Sequence, residues 1–90
     1  DIYVIALATT ASKKNTIDIL TFFKVNDLFE IIVTQEDVVN LKPDPECFLK
    51  IMQKLSIEPK NTLIFEDSIV GMTAARLSKA SVVNVEMFNL

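Results

Sequence analysis

The sequence predicts an α/β fold in which parallel strands alternate with helices. Short apolar runs rich in strand-forming residues recur along the chain, and each is followed by apolar residues at helical spacing. The links are short, and parallel strands joined by helices build one sheet with right-handed crossovers. The 90 residues suffice for one small domain, residues 1–90, with no internal repeat and no linker.

The first half of the chain predicts two strands and a helix between them. Residues 3–8 (YVIALA) form a continuous apolar run, which is typical of a parallel strand covered on both faces. Helical spacing over residues 13–23 follows Ser12, a common N-cap residue. Residues 30–34 (EIIVT) predict the second strand, and the polar residues 35–37 predict one helical turn.

A proline-containing segment, LKPDPE, precedes the next helix. Pro43 favours an extended backbone at Lys42. The following Asp-Pro-Glu supplies an N-cap, a proline at the first helical position and an acid in the first turn. We therefore expect Lys42 in a loop before a helix that ends by Pro59.

The second half predicts two further strands around a third helix. Residues 62–65 (TLIF) and 81–85 have strand character, and residues 69–78 predict the helix. Gly71 lies inside that helix, where glycine costs ~1 kcal/mol relative to alanine. We expect it to permit a close approach of another segment's backbone.

Composition excludes several functional classes. The net charge is -3 and the nine basic residues are scattered, so no nucleic-acid partner is expected. The single cysteine, Cys47, falls in a predicted helix and is interpreted as an ordinary buried thiol. No apolar run approaches the ~20 residues of a membrane span, and the first residues lack a basic signal-peptide region, so we predict a cytoplasmic location.

The residues that could carry chemistry all follow strands. Thr9 and Thr10 follow the first strand, Lys42 follows the second, and Glu66 and Asp67 follow the third. Ligands of open parallel sheets bind beyond these carboxyl ends. Hydroxyls and backbone amides can bind phosphate oxygens, an ammonium can neutralise transferred charge, and carboxylates can hold Mg²⁺.

Each of these residues also has a structural explanation. Thr9 could form a local turn bond, Lys42 could be a solvated surface lysine, and the acidic pair could cap a helix. Their shared position at the ends of successive parallel strands favours one phosphate site.

Three segments resemble motifs of the haloacid dehalogenase-like superfamily, in its beta-phosphoglucomutase and phosphatase branch. They are LATTASKKN, LKPDPECF and TLIFEDSIVGMTAARLSKA. The resemblance implies a three-layer Rossmann-like sheet with helices on both faces. It assigns phosphoryl binding to Thr9 and to Lys42, which would also contact the carboxylates. It makes Asp67 a direct Mg²⁺ ligand and lets Glu66 act through water or by contacting the direct ligands, with Ser68 supporting the loop.

The resemblance leaves three parts of the family pattern unmatched. The family's nucleophile is an Asp followed two residues later by a second Asp, on a central strand before Thr9, and no Asp in these 90 residues has that spacing. The substrate-selecting cap domain is also absent, and Lys79-Ala80-Ser81 stands where a glycine is usual. We therefore expect the chain to be a fragment, inactive alone, whose strands on either side of the missing one each lose a neighbour.

Three functions are compatible with these residues. The first is a Mg²⁺-dependent phosphatase or phosphomutase that acts on small phosphate esters such as sugar phosphates through an aspartyl-phosphate, with this chain contributing part of the site. The alternative is a non-catalytic remnant that binds phosphate or a protein partner. A phospho-receiver domain is disfavoured, because it places its acidic pair before the Thr and Lys. Self-association through unpaired strand edges is also predicted.

Overall fold

The computed structural model describes residues 3–85, which contain four strands and three helices. The strands are β1 (Ala6–Ala8), β2 (Ile31–Val33), β3 (Leu63–Glu66) and β4 (Ser81–Asn84). The helices are α1 (Lys13–Phe22), α2 (Glu46–Leu55) and α3 (Ile69–Leu77). Three-residue 3₁₀ turns lie at Asn26–Leu28, Gln35–Asp37 and Pro59–Asn61. No helix within residues 3–85 is long and apolar enough to cross a membrane.

The α/β class and the parallel strands are confirmed, but the described strands form two pairs instead of one sheet. β1 pairs in parallel with β2, and β3 pairs in parallel with β4. β1 and β3 are not hydrogen-bonded to each other. Direct pairing of these two strands, one way of closing the gap that the resemblance implies, is therefore not what residues 3–85 adopt.

The prediction of a covered strand over residues 3–8 is wrong for its first half. Tyr3, Val4 and Ile5 are 86%, 50% and 52% exposed. The Ile5 carbonyl accepts a bond from the Glu30 N–H at 2.7 Å, but the β1–β2 ladder begins only at Ala6. The apolar run is thus longer than the strand it forms, and its first three side chains are left uncovered.

The core lies where the strands meet α2 and α3. Its buried members come from β2, α2, β3 and α3: Val33, Cys47, Phe48, Met52, Ile64, Ala74 and Ala75. The prediction of a buried thiol is confirmed, since Cys47 is 5% exposed. Burial disfavours the thiolate and raises the pKa of Cys47.

Side-chain caps fix the starts of the helices. Ser12 caps α1 as predicted, accepting from the Asn15 N–H at 3.1 Å. The Asp44 carboxylate accepts from the Glu46 N–H at 2.9 Å, although α2 begins one residue later than the predicted cap places it. Because these caps satisfy backbone donors at the helix starts, they hold the preceding loops in place.

Lys79 occupies a backbone position that favours glycine. Its φ of 74° lies in the left-handed region, which costs a residue with a Cβ roughly 1–2 kcal/mol. This is the loop in which the family pattern usually has a glycine. A Lys79→Gly chain is therefore expected to gain about 0.5–1 kcal/mol in free energy of unfolding, measured by urea denaturation, after the entropy lost by glycine is subtracted.

The matched control is Lys60→Gly, an exposed lysine that is not among the described residues with positive φ. That change should leave stability unchanged or lower it. An equal gain in both variants would show that the backbone at position 79 is not strained.

Candidate active site

One cleft of about 460 Å³ lies between the carboxyl ends of β1 and β3. All five predicted site residues line it: Thr9, Thr10, Lys42, Glu66 and Asp67. Ser68 lines it as well and caps α3 by accepting from the Gly71 N–H at 3.0 Å. The fold thus brings together side chains that lie up to fifty-nine positions apart in sequence, from Thr9 to Ser68. Their roles in binding remain predictions.

Lys42 joins the two strand pairs across this cleft. Its Nζ donates to Glu66 Oε2 at 2.6 Å and to the Ala8 carbonyl at 3.2 Å. The Lys42 and Glu66 side chains are only 11% and 10% exposed, so water screens the pair weakly. Nζ also lies 5.0 Å from the centroid of the Phe48 ring, within the range of a cation–π contact. The explanation of Lys42 as a solvated surface lysine therefore does not hold.

Thr9 is held in a tight turn at the end of β1. Its N–H donates to the Val33 carbonyl at 2.9 Å, and its Oγ1 accepts from the Ala11 N–H at 3.1 Å. The local turn bond considered as a structural explanation is thus present. Because Oγ1 acts there as an acceptor, its own proton is still available to donate to a ligand. Thr10 is exposed at the same edge.

Hydrogen bonds to Glu36 connect this turn to the loop after β2, and they were not predicted. Glu36 Oε1 accepts from the Lys13 N–H at 2.9 Å and from the Thr34 hydroxyl at 3.1 Å. The bond from the Lys13 N–H is the main cause that lowers the pKa of Glu36. The Thr-x-x-Asp spacing of Thr34 and Asp37 is a capping-box signal and could have predicted the hydrogen bonds within the loop after β2. The bond to Lys13 spans two elements and has no such signal.

The two carboxylates of the acidic pair differ, because within residues 3–85 Glu66 is ion-paired and Asp67 is not. Glu66 is paired with Lys42, whereas Asp67 is exposed and has no ion pair or hydrogen bond from its side chain to any residue in 3–85. Mg²⁺ is bound by oxygen ligands and usually keeps several waters, needing only one or two protein carboxylates with substrate phosphate. The donor set fits such an ion. Residues 3–85 contain no cluster of three or more His, Cys, Asp or Glu that could enclose one.

The chain belongs to the haloacid dehalogenase-like hydrolase family, whose sequence profile matches residues 2–85. Within it, the chain falls in the branch of phosphatases and beta-phosphoglucomutase-like proteins. The resemblance of the three motifs is thereby confirmed.

Several relatives show how much of the family's length the chain covers. It is 33% identical over 72 residues to the phosphorylated carbohydrates phosphatase of Thermotoga maritima, covering 80% of this chain and 33% of that protein. It is 37% identical to Protein CbbY of Rhodobacter capsulatus over 88% of this chain and 36% of that protein. A crystal structure of a beta-phosphoglucomutase homologue from Thermotoga maritima superposes with a TM-score of 0.87 at 29% identity, covering 90% of this chain and 38% of that one. The chain spans about a third of the length of the curated relatives it matches.

Proposed function

We propose that the chain forms the phosphate- and metal-binding part of a Mg²⁺-dependent phosphatase or phosphomutase for small phosphate esters such as sugar phosphates. The observation that carries the proposal is the cleft between β1 and β3. It places the Thr9 hydroxyl, the Lys42 ammonium and the Asp67 carboxylate at one edge of the fold. The relatives named as phosphatases support the reaction class, and the carbohydrate phosphatase among them supports the substrate class.

Thr9 and Lys42 would bind the phosphoryl group. The Thr9 hydroxyl proton and the N–H groups of the following turn can donate to phosphate oxygens. The Lys42 ammonium carries three donors, of which the Ala8 carbonyl and Glu66 use two. Its third can face a ligand. A cation fixed in advance beside a transferring phosphoryl group stabilises the charge that spreads over its oxygens in the transition state.

Asp67 would hold Mg²⁺, and Glu66 would act on it through water. The ion would supply charge neutralisation and orientation for the phosphate. Glu66 has a second function in this arrangement, because its carboxylate fixes Lys42 at the cleft. The aspartate nucleophile is proposed to come from a part of the protein outside these 90 residues, since no Asp here has a second Asp two residues later.

The 90-residue chain alone is expected not to turn over phosphate esters, because the residue that would form the covalent intermediate is not in it. Incubation with an aryl phosphate and Mg²⁺ measures this directly. Sustained turnover that disappears in an Asp67→Ala variant would contradict the assignment of the nucleophile to another segment.

Mg²⁺ binding to this chain is expected to be weak, millimolar or poorer, since one free carboxylate is an incomplete site. Phosphate added to the same solution should strengthen Mg²⁺ binding, because the two ligands would share one cleft and binding linkage is reciprocal. Titration calorimetry with and without inorganic phosphate measures both effects. Asp67→Asn should abolish Mg²⁺ binding, whereas Asp27→Asn, an exposed acid in the first 3₁₀ turn, should not.

The strengthening of Mg²⁺ binding by phosphate should depend on Lys42. A Lys42→Met chain is expected to lose it, and a Lys60→Met chain, in which an exposed lysine is removed, should keep it. Micromolar Mg²⁺ binding without phosphate would indicate a different ligand set. Phosphate dependence that persists in Lys42→Met would place the anion elsewhere.

A further inference from the structure

Gly71 is the only glycine of the chain, and it lies in a helix. The three described residues with left-handed φ, where glycine is usually favoured, are Lys24, Ser56 and Lys79. In a helix interior glycine is about fivefold less favourable than alanine. The chain thus tolerates strain at its turns and places its one glycine where it weakens a helix.

The space beside Gly71 is filled by the carboxyl group of Glu66. A Cβ at position 71 would lie 1.9 Å from Glu66 Oε1 and 2.3 Å from Glu66 Cδ. No side-chain carbon can approach this closely, so any other residue at position 71 must displace the carboxylate. The same carboxylate makes the 2.6 Å bond to Lys42 Nζ through its other oxygen.

We infer that Gly71 is a positioning residue: its missing side chain leaves the space from which Glu66 holds Lys42 at the cleft. The Glu66 carboxylate lies against the first turn of α3, where the positive end of the helix dipole also favours an anion. If it is displaced, Lys42 and Glu66 both lose an ion-pair partner at a weakly hydrated position. The close approach of the Glu66 carboxylate to Gly71 is an observation of the structure. Its importance for catalysis rests on the proposed function.

A double-mutant cycle in urea tests the contact without any ligand. Gly71→Ala is expected to raise the unfolding equilibrium constant at least fivefold, because the lost ion pair outweighs the better helix former. In a Glu66→Ala background the carboxylate is absent, and the same change should lower the constant, by at most the roughly fivefold typical of a helix interior. Should Glu66→Ala fail to fold, the comparison uses Lys42→Met/Glu66→Ala, which removes both charges.

The matched control is Glu58→Ala, which removes an exposed glutamate 3.5 Å from Lys60 and remote in sequence from α3. Gly71→Ala should have the same effect in that background as in the wild type. Equal effects of Gly71→Ala with and without the Glu66 carboxylate would overturn the inference.

A spectroscopic readout separates positioning from helix stability. The Lys42 ammonium, 11% exposed and bonded to Glu66, is expected to give a slowly exchanging signal in ¹H–¹⁵N spectra of lysine side chains. Gly71→Ala should abolish that signal. Gly71→Ala/Glu66→Asp should restore it, because the shorter side chain keeps its carboxylate clear of a Cβ at position 71 and on the side that faces Lys42. An unchanged Lys42 signal in Gly71→Ala would overturn the inference, whatever phosphate and Mg²⁺ binding show about the function.

Discussion

Phe48→Ala is expected to lower the free energy of unfolding by about 3–5 kcal/mol, the usual cost of truncating a buried phenylalanine to alanine. Phe48 is 7% exposed in the core, and its ring lies beneath the Lys42 ammonium. A small domain has ~5–15 kcal/mol of total stability, so the change should remove a large fraction of it. Urea denaturation followed by circular dichroism measures the loss.

Phe22→Ala is the matched control. The Phe22 ring is 78% exposed on α1 and makes an edge-to-face contact with Phe23. Substitutions at such exposed sites usually stay within about 0.5 kcal/mol. Equal losses in the two variants would mean that the core is not centred on α2.

The sequence predicted the elements and the positions of the candidate site residues because these depend on local signals. Helical spacing and the Ser12 cap placed α1 to within one residue. The site residues follow from the rule that parallel strands end at one edge, and the cleft contains all five of them. The strand assignments and the parallel arrangement were enough to expect them together.

What the sequence could not predict depends on contacts between distant segments. The exposure of Tyr3, Val4 and Ile5 depends on which elements pack over the faces of the sheet, and their own apolar pattern does not encode this. Lys42 bonds to Glu66 across 24 positions, and a Cβ at Gly71 would clash with that carboxylate across five. Both depend on where the Glu66 side chain lies, which local signals do not give. Close approach at Gly71 was expected, but of the backbone and not of a charged group.

Among residues 3–85, no strand pairs with the inner edge of either strand pair. In a parallel ladder, alternate residues of a strand bond to the same neighbour. The Ile5 carbonyl and the Thr9 N–H bond to β2, so the backbone of Ala6 and Ala8 points away from β2. The bond from Lys42 Nζ to the Ala8 carbonyl agrees with this direction.

The same reasoning applies to β3. The Thr62 carbonyl accepts from the Ser81 N–H at 3.1 Å, so the backbone groups of Leu63 and Phe65 point away from β4. Their side chains are 54% and 63% exposed. Unpaired backbone beside exposed apolar side chains is the usual template for pairing with another chain.

We propose that this chain alone self-associates through these edges, as dimers or larger aggregates. Light scattering over about a hundredfold range of concentration should show mass increasing with concentration.

Phe65→Lys should reduce association, because a charge on an edge strand opposes pairing. No β3–β4 ladder bond is lost with the side chain. Leu77→Lys is the control. It introduces the same charge at an apolar residue that is 52% exposed but lies on α3, so it should leave association unchanged. A chain that stays monomeric at high concentration and melts cooperatively above ~65 °C, the top of the usual mesophile range, would show that two separate strand pairs suffice for a stable fold. In that case the open edges would be adequately protected by their shortness, since β1 has only three residues and β3 has four.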